Sequence, residues 1–339
     1  MTLRTTLAAL VVPVVLAASA SSASAQAFVP EKGEGSVSLL YVDTFVKTHY
    51  LTTTPYDLGH IQSHTLLVDM TYGLTDKVAI SIGIPWVASK YLGTGVVDIP
   101  NHIASIPHPQ PLFNAVNTLD DGAYHSTFQD FRFNVRYNMV KGRGLAITPF
   151  VGSINPSHGY ETFAHAAPGR DLNELRIGVS AAKMLDEQVP GLFVQGSYTY
   201  GITQQVLDIG HNRSVVDLEA GYFVTPKLRV LGLGSGQITH GGIDATIETA
   251  FDPVLFPVHD QITKDNFINL GGGVAYSLND KIDVYGSVIH TVAVRNVHAI
   301  DYGVSVGFSV GFSARRAKDR AIASADDSLA RCLCEKGMK

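Results

Sequence analysis

Charge is scarce in this chain: Asp, Glu, Lys and Arg make up 16 % of its 339 residues, against about 25 % in ordinary soluble domains. Cysteine is scarcer still. Cys332 and Cys334 are the only two, and a pair separated by one residue near the end of a long chain cannot staple a core, which excludes a disulfide-framed secreted domain. The formal charge of −5 lacks the basic excess with which nucleic-acid binders neutralise phosphates, so no nucleic-acid partner is expected. The low hydrophobicity that marks disorder is missing too, since 45 % of the residues are hydrophobic. Also absent beyond the first residues is any run of about 18 apolar residues, the length a spanning helix needs. The longest stretches free of Asp, Glu, Lys and Arg, 99–119 and 188–207, are broken by Pro, Asn or Gln. If this chain enters a membrane, it does so as strands.

The first 25 residues read as an export signal. Arg4 lies in a short polar segment, residues 7–16 (LAALVVPVVL) form an apolar run, and Ala23-Ser24-Ala25 offers a small-residue cleavage site before Gln26. Ten apolar residues are too few to cross a bilayer as a helix. The expected organisation is a signal peptide over 1–25, one domain over 26–313 and a flexible periplasmic tail over 314–339.

What the sequence has in quantity is glycine, aromatic residues and alternation. In 130–139, Asp130, Arg132, Asn134, Arg136 and Asn138 share one face of an extended chain, and Phe131, Phe133, Val135, Tyr137 and Met139 share the other. In 300–313, Ile300, Tyr302, Val304, Val306, Phe308, Val310 and Phe312 oppose Asp301, Gly303, Ser305, Gly307, Ser309, Gly311 and Ser313. The same period marks 62–73, 77–88, 173–182, 193–201, 214–222, 269–278 and 281–294, and more weakly 36–50, 145–153 and 227–239, giving twelve strands.

The connections take turns in length. Gly, Pro, Asn and Asp supply short turns at 74–76, 140–144, 185–190, 225–226 and 279–280, while longer connections lie at 51–60, 91–124, 155–171, 205–213 and 240–265, with 295–298 as a short exception. A hairpin motif recurs at three of the short turns: Tyr72-Gly-Leu-Thr-Asp-Lys77, Tyr222-Phe-Val-Thr-Pro-Lys227 and Tyr276-Ser-Leu-Asn-Asp-Lys281, with Tyr137 and Lys141 a looser fourth copy. By parity these tyrosines, with Phe312, stand on the apolar face near one rim, where membrane-interface aromatics sit.

Alternation alone does not say which face meets water. Strands of ten to fourteen residues exceed the mode of about 5–6 in soluble sheets, and the Gly/Ser face of 300–313 would give a soluble protein an uncharged surface. Together with the short/long turn asymmetry and the export signal, this indicates an all-β, antiparallel transmembrane β-barrel of the bacterial outer membrane, with about twelve strands, short periplasmic turns and longer outer loops. Outer-membrane lipid is then one partner; the oligomeric state stays open.

The export signal, Gly35-Ser36-Val37, Tyr72-Gly73-Leu74-Thr75-Asp76-Lys77-Val78 and Ile82-Gly83-Ile84-Pro85-Trp86 resemble the meta-pathway phenol-degradation family of outer-membrane barrels. The resemblance implies a transporter or channel of a Gram-negative cell, linked to aromatic-compound catabolism. Such barrels usually finish on a terminal aromatic residue, whereas here Phe312 is followed by 27 more residues.

The polar strand face offers pore-lining candidates: Asp69, Asp130, Arg132, Arg136, Glu174, Arg176, Asp217, Glu219, Asp283 and Asp301. Charges there set ion preference in a water-filled lumen, or pair across strands to stiffen a narrow one. The membrane-interface candidates are Tyr72, Tyr137, Tyr222, Tyr276 and Phe312. Thirteen histidines lie mostly toward the long-loop side. No H-E-x-x-H or tight pair occurs, so they read as polar loop residues, with no metal or cofactor expected and a surface metal patch the alternative. Ser63-His64, His125-Ser126 and Ser157-His158 are adjacent and would point apart in an extended chain, and no G-x-S-x-G occurs, so no catalytic residue is named and no enzyme is expected. The reading is a passive channel for small solutes, hydrophobic or aromatic ones by resemblance. The alternatives are a surface binding or adhesion barrel and an outer-membrane hydrolase. The apolar connection 91–124 could constrict or cap the mouth, and 26–34 is too short for a globular plug.

Overall fold

The computed structural model describes residues 27–93, 96–97, 106–107, 119–246, 249, 252, 254–296 and 298–314. Residues 1–26, most of 91–124 and the residues beyond Ala314 lie outside them. Among the described residues no helix is long and apolar enough to cross a membrane, and twelve long strands close into an antiparallel barrel.

The strands are β1 Glu34–Leu51, β2 Thr54–Gly73, β3 Val78–Leu92, β4 in two pieces, His125–Phe128 and Phe131–Tyr137, β5 Leu145–Asn155, β6 Glu174–Met184, β7 Leu192–Thr203, β8 His211–Phe223, β9 Leu228–Gly241, β10 Asn266–Asn279, β11 Ile282–Arg295 and β12 His298–Ser313. Each pairs with its sequence neighbours, and β1 pairs with β12 from Glu34↔Ser313 to His49↔His298, which closes the sheet and removes its edges.

Proline explains where the ladder is interrupted. Pro85 in β3 has no N–H to give; β4 breaks opposite it, and the Pro85 carbonyl instead accepts the Gln129 N–H at 2.9 Å. The β4–β5 ladder stops after Arg136↔Phe150, where Pro149 would come next.

At the short-turn end the repeated hairpin motif has a mechanism the spacing did not show. Its fourth residue, Thr75, Thr225 or Asn279, accepts with its side-chain oxygen the N–H groups two and three positions on. The distances are 3.2 and 2.9 Å for Lys77 and Val78, 3.2 and 3.0 Å for Lys227 and Leu228, and 2.9 and 3.1 Å for Lys281 and Ile282.

The opposite end departs from expectation in two places. Residues 51–60 are not a long connection: β1 and β2 run on to Leu51 and Thr54 and join through a tight turn with Thr52 at φ 52°. A register shift opposite Val46 and Thr48 absorbs the residues whose alternation fails. The parity of 300–313 also breaks at its start. Tyr302 pairs with Phe45 and Ile300 with Val46, leaving Asp301 as an extra residue, and Ile300 packs inward against Val46, Ile61 and Ile289 instead of facing out.

The two faces of the wall differ as lipid and lumen do. Outward stand Val68, Ile84, Trp86, Val135, Val151, Leu218, Val288, Val304, Val306 and Phe308, all large, apolar and exposed. Inward stand buried Ser38, Ser81, Thr148, Ser180, Thr199, Ser235, Asn269, Ser305 and Ser309. A water-soluble barrel would have these faces reversed.

Candidate functional site

Because inward positions come from every second residue of twelve strands, polar side chains scattered along the sequence meet inside the barrel. Midway, a cavity of about 80 Å³ is lined by Asp69 of β2, Arg132, Asn134 and Arg136 of β4, Phe150 of β5, Arg176 and Ser180 of β6, Ser197 and Thr199 of β7 and Asp217 of β8. The three arginines project from β4 and β6 between carboxylates on β2 and β8, so the field runs across the lumen. Ser197 Oγ donates to Asp217 Oδ2 at 3.2 Å.

Toward the loop end, buried Glu174 accepts from Arg213 Nε at 2.5 Å and lies 3.6 Å from Arg176 Nε. Gly201, between the strands that carry them, makes this pairing fit: a Cβ there would come within 2.7 Å of the Glu174 carboxyl. Toward the short-turn end, Asp283 accepts from Ser277 Oγ at 2.5 Å and lies 3.4 Å from Arg229, while Glu219 sits beside Gln195 and Arg229. Charge therefore lines the lumen at three levels, largely compensated at each.

Both mouths are partly filled. At the short-turn end residues 27–33 cross the opening: Ala27 packs on Ala146 of β5 and Ala182 of β6, and Thr148 Oγ1 donates to the Ala27 carbonyl at 2.6 Å. The segment forms a strap across the mouth. At the loop end the 156–173 connection folds inward with Phe163, Ala164, Ala166 and Leu172 buried. The Tyr160 hydroxyl donates to Asp130 and accepts the Asp171 N–H at 2.9 Å; burial, and then the Asp130 bond, push the phenol well above its usual range. Arg170 pairs with Asp265 of the 242–265 connection, and Gln261 Nε2 donates to the Arg170 carbonyl at 2.7 Å. Burial, and then repulsion from Arg213, push the Arg170 guanidinium down to about 10. These two loops are the cover of the mouth among the described residues, and most of 91–124 lies outside those residues.

No protein-family model matches the chain, and no curated protein matches it in sequence. Among solved structures, the COG4313 outer membrane channel from Pseudomonas putida F1 superimposes with a TM-score of 0.62 at 11 % identity, over 85 % of this chain and 98 % of that one. The chain has the fold of an outer-membrane channel. The NanC porin, with a TM-score of 0.44 at 9 % identity over 80 % of this chain and 98 % of that one, is more distant. So is the CymD monoaromatic hydrocarbon channel, with a TM-score of 0.41 at 9 % identity over 84 % and 90 %.

Of the residues singled out in the sequence, Asp69, Arg132, Arg136, Arg176 and Asp217 meet around the central cavity. Glu174 and Asp130 lie above it, Glu219 and Asp283 below. Asp301 stands apart at the β12 bulge, where its carboxylate accepts the Lys47 N–H at 2.5 Å. Tyr137, Tyr222, Tyr276 and Phe312 are exposed on the outer face at the short-turn end, and Tyr72 stacks on Phe312 at 6.3 Å. Arg213 and Arg229 were missed: the first sits just before the stretch read as a strand, the second in a weakly alternating one.

The histidines need a correction. Ser157 and His158 do meet, Oγ to Nδ1 at 2.8 Å, because the chain bends there; the other ring nitrogen faces Thr127 Oγ1 at 3.0 Å, not an acid. Ser214 and His240 meet across β8 and β9 at 2.8 Å, with the Tyr198 hydroxyl as the serine's other partner at 3.0 Å. Neither is the acid-oriented pair of a hydrolase. And His49, His165 and His298, distant in sequence, form a tight group that no spacing rule could show.

Proposed function

We propose that this chain is a passive outer-membrane channel for small solutes, surrounded by lipid, and that it belongs with the phenol-degradation barrels its 72–78 and 82–86 motifs resemble. The observation that carries the reading is a lumen of Asp69, Arg132, Arg136, Arg176 and Asp217 enclosed by a wall whose outside is apolar. A wall of that kind is stable in hydrocarbon, and its inside offers a charged path a solute can follow without crossing lipid. In this reading residues 1–25 direct export, the short turns face the periplasm, and the chain performs no chemistry on what it passes. The central cavity of about 80 Å³ suits small solutes better than large ones. The family resemblance adds aromatic compounds to the candidates.

The experiment is conductance of the refolded barrel in planar bilayers, with entry of phenol and of small sugars into proteoliposomes measured in parallel. Discrete ion-conducting steps are expected. Arg132→Gln and Asp217→Asn should shift the reversal potential in opposite directions. A barrel that inserts fully, conducts nothing and passes no solute would be a surface binding protein instead.

A further inference from the structure

Three histidines that no motif connects are brought to one point by the closure of the barrel. His49 of β1 and His298 of β12 are register partners across the closing seam, with ring centroids 4.3 Å apart. His165, from the 156–173 connection, reaches the same place, 4.9 Å from the His49 ring and 5.7 Å from that of His298. One ring nitrogen from each lies within 4.8 Å of the other two.

We propose that His49, His165 and His298 bind a late first-row divalent transition-metal ion, Zn²⁺ or Cu²⁺. Zinc–imidazole bonds of about 2.0–2.1 Å in a tetrahedral arrangement hold nitrogens roughly 3.4 Å apart. Nitrogens within 4.8 Å reach that spacing by small side-chain rotations, without movement of the strands. The donor set is purely imidazole, which suits Zn²⁺ and Cu²⁺ and disfavours Mg²⁺ and Ca²⁺, whose ligands are oxygens. Three protein ligands leave a fourth position for water or a solute.

The surroundings already hold the group in place. Asp120 Oδ2 and Oδ1 accept the backbone N–H groups of His165 and Ala166 at 3.0 and 2.9 Å, which fixes the loop where its imidazole points at the seam. Tyr91 stacks on the His165 ring at 4.3 Å. His49 is 3 % exposed, and buried Val46, Ile61, Tyr91 and Ala166 form the apolar cluster on one side. Metal binding requires each imidazole to be neutral at its ligating nitrogen. The ligands come from the first strand, the last strand and a loop that fills the mouth, so a bound ion ties that loop to the seam.

The test uses the full mature chain without a histidine tag, refolded in detergent and confirmed as folded by its heat-shifted gel band. Equilibrium dialysis against Zn²⁺ alone, read by elemental analysis, should give one tightly held ion per barrel, with Mg²⁺ giving none. His165→Ala, in a loop and so tolerant of substitution, should weaken Zn²⁺ binding by about tenfold or more, since even partners one shell further out are worth 10–100-fold. His240→Ala, on the outer face, should not change it. Co²⁺ in place of Zn²⁺ should give the visible absorption of a low-coordinate nitrogen site in the parent and lose it in His165→Ala. Absence of a tight ion in the folded parent, or equal affinity in the parent and His165→Ala, would overturn the proposal. Because the readout is bound metal rather than current, it is decided whether or not the barrel conducts.

Discussion

Thr148, inside the barrel wall on β5, donates its hydroxyl to the carbonyl of Ala27 at 2.6 Å, so the start of the described chain is held against the wall across the short-turn mouth before it reaches β1 at Glu34. Ala27 and Val29 are almost fully buried in this course. Removing residues 27–32 should leave the twelve-strand ladder intact, because none of them takes part in it, and should widen the mouth. Larger single-channel conductance with an unchanged heat-shifted band is the expected outcome. Thr148→Val should release the strap more weakly, by the net value of one hydrogen bond, about 1 kcal/mol. Conductance identical to the parent in the deletion would show that the strap does not limit passage.

The two faces of β12 make a second expectation sharp. Val306 is 59 % exposed on the outer face, whereas its neighbour Ser305 is buried and shares a hydrogen bond of 2.7 Å with Ser287. Val306→Arg places a cation among lipid tails and should cost about 2–4 kcal/mol near the bilayer midplane, while Val306→Leu should be nearly neutral. Folding equilibria in lipid vesicles measure both. Equal stability of the two variants would mean that this face does not meet hydrocarbon.

Acid should release one of the outer loops. Asp244 lies in the 242–265 connection and accepts from Asn296 Nδ2 at 2.9 Å and from Arg295 Nη2 at 2.9 Å. The Asn296 bond first, and then Arg295 and Lys264, hold its carboxyl below the usual range. A depressed carboxylate contributes stability above its unfolded value, about 3.9, and loses it as pH falls through the folded value. Protease sensitivity of this loop should therefore be flat from neutral pH down to about 5 and rise only below about 4. Asp244→Asn should be sensitive throughout. A transition near pH 6.5 would point to histidines instead.

The wall of the barrel was legible because lipid outside and polar groups inside impose a strict period of two. Val304, Val306, Phe308 and Val310 announce their face without any knowledge of their neighbours. Where the ladder slips, the pattern misleads: Ile300 looks like the next lipid-facing residue, yet the bulge at Asp301 turns it inward. The central charges were readable for the same reason as the wall, one face of β4 carrying both Arg132 and Arg136. Their partners were not, since Glu174 finds Arg213 only because β6, β7 and β8 lie side by side around Gly201. Ala27 and Val29 belong to a segment too short to show any period. The histidine group depends on barrel closure and on a loop's path, neither of which leaves a local trace.

The seam depends on an aromatic side chain covering a glycine. Gly35 of β1 pairs with Tyr72 on one side and Phe312 on the other, and the Phe312 ring lies so close over it that a Cβ on Gly35 would come within 2.6 Å of the ring. Phe312 in turn stacks on Tyr72 at 6.3 Å, which links the last strand to the first two at the short-turn rim. Phe312→Ala uncovers the glycine, leaves Tyr72 without its stacking partner and removes an interface aromatic. Gly35→Val drives a branched side chain into the space the ring needs. Both should slow closure, seen as a reduced fraction of heat-shifted band during refolding into vesicles, and the double variant Gly35→Val with Phe312→Ala should recover little of the loss, because a Cβ at Gly35 also meets the Thr71 backbone carbonyl oxygen and that clash stays when the ring goes. Truncation after Ala314 should leave closure unchanged, since the Ala314 N–H already bonds the Gly33 carbonyl at 2.7 Å and completes the seam. A truncated chain that refolds as poorly as Phe312→Ala would show that the tail helps form the seam as much as the ring does.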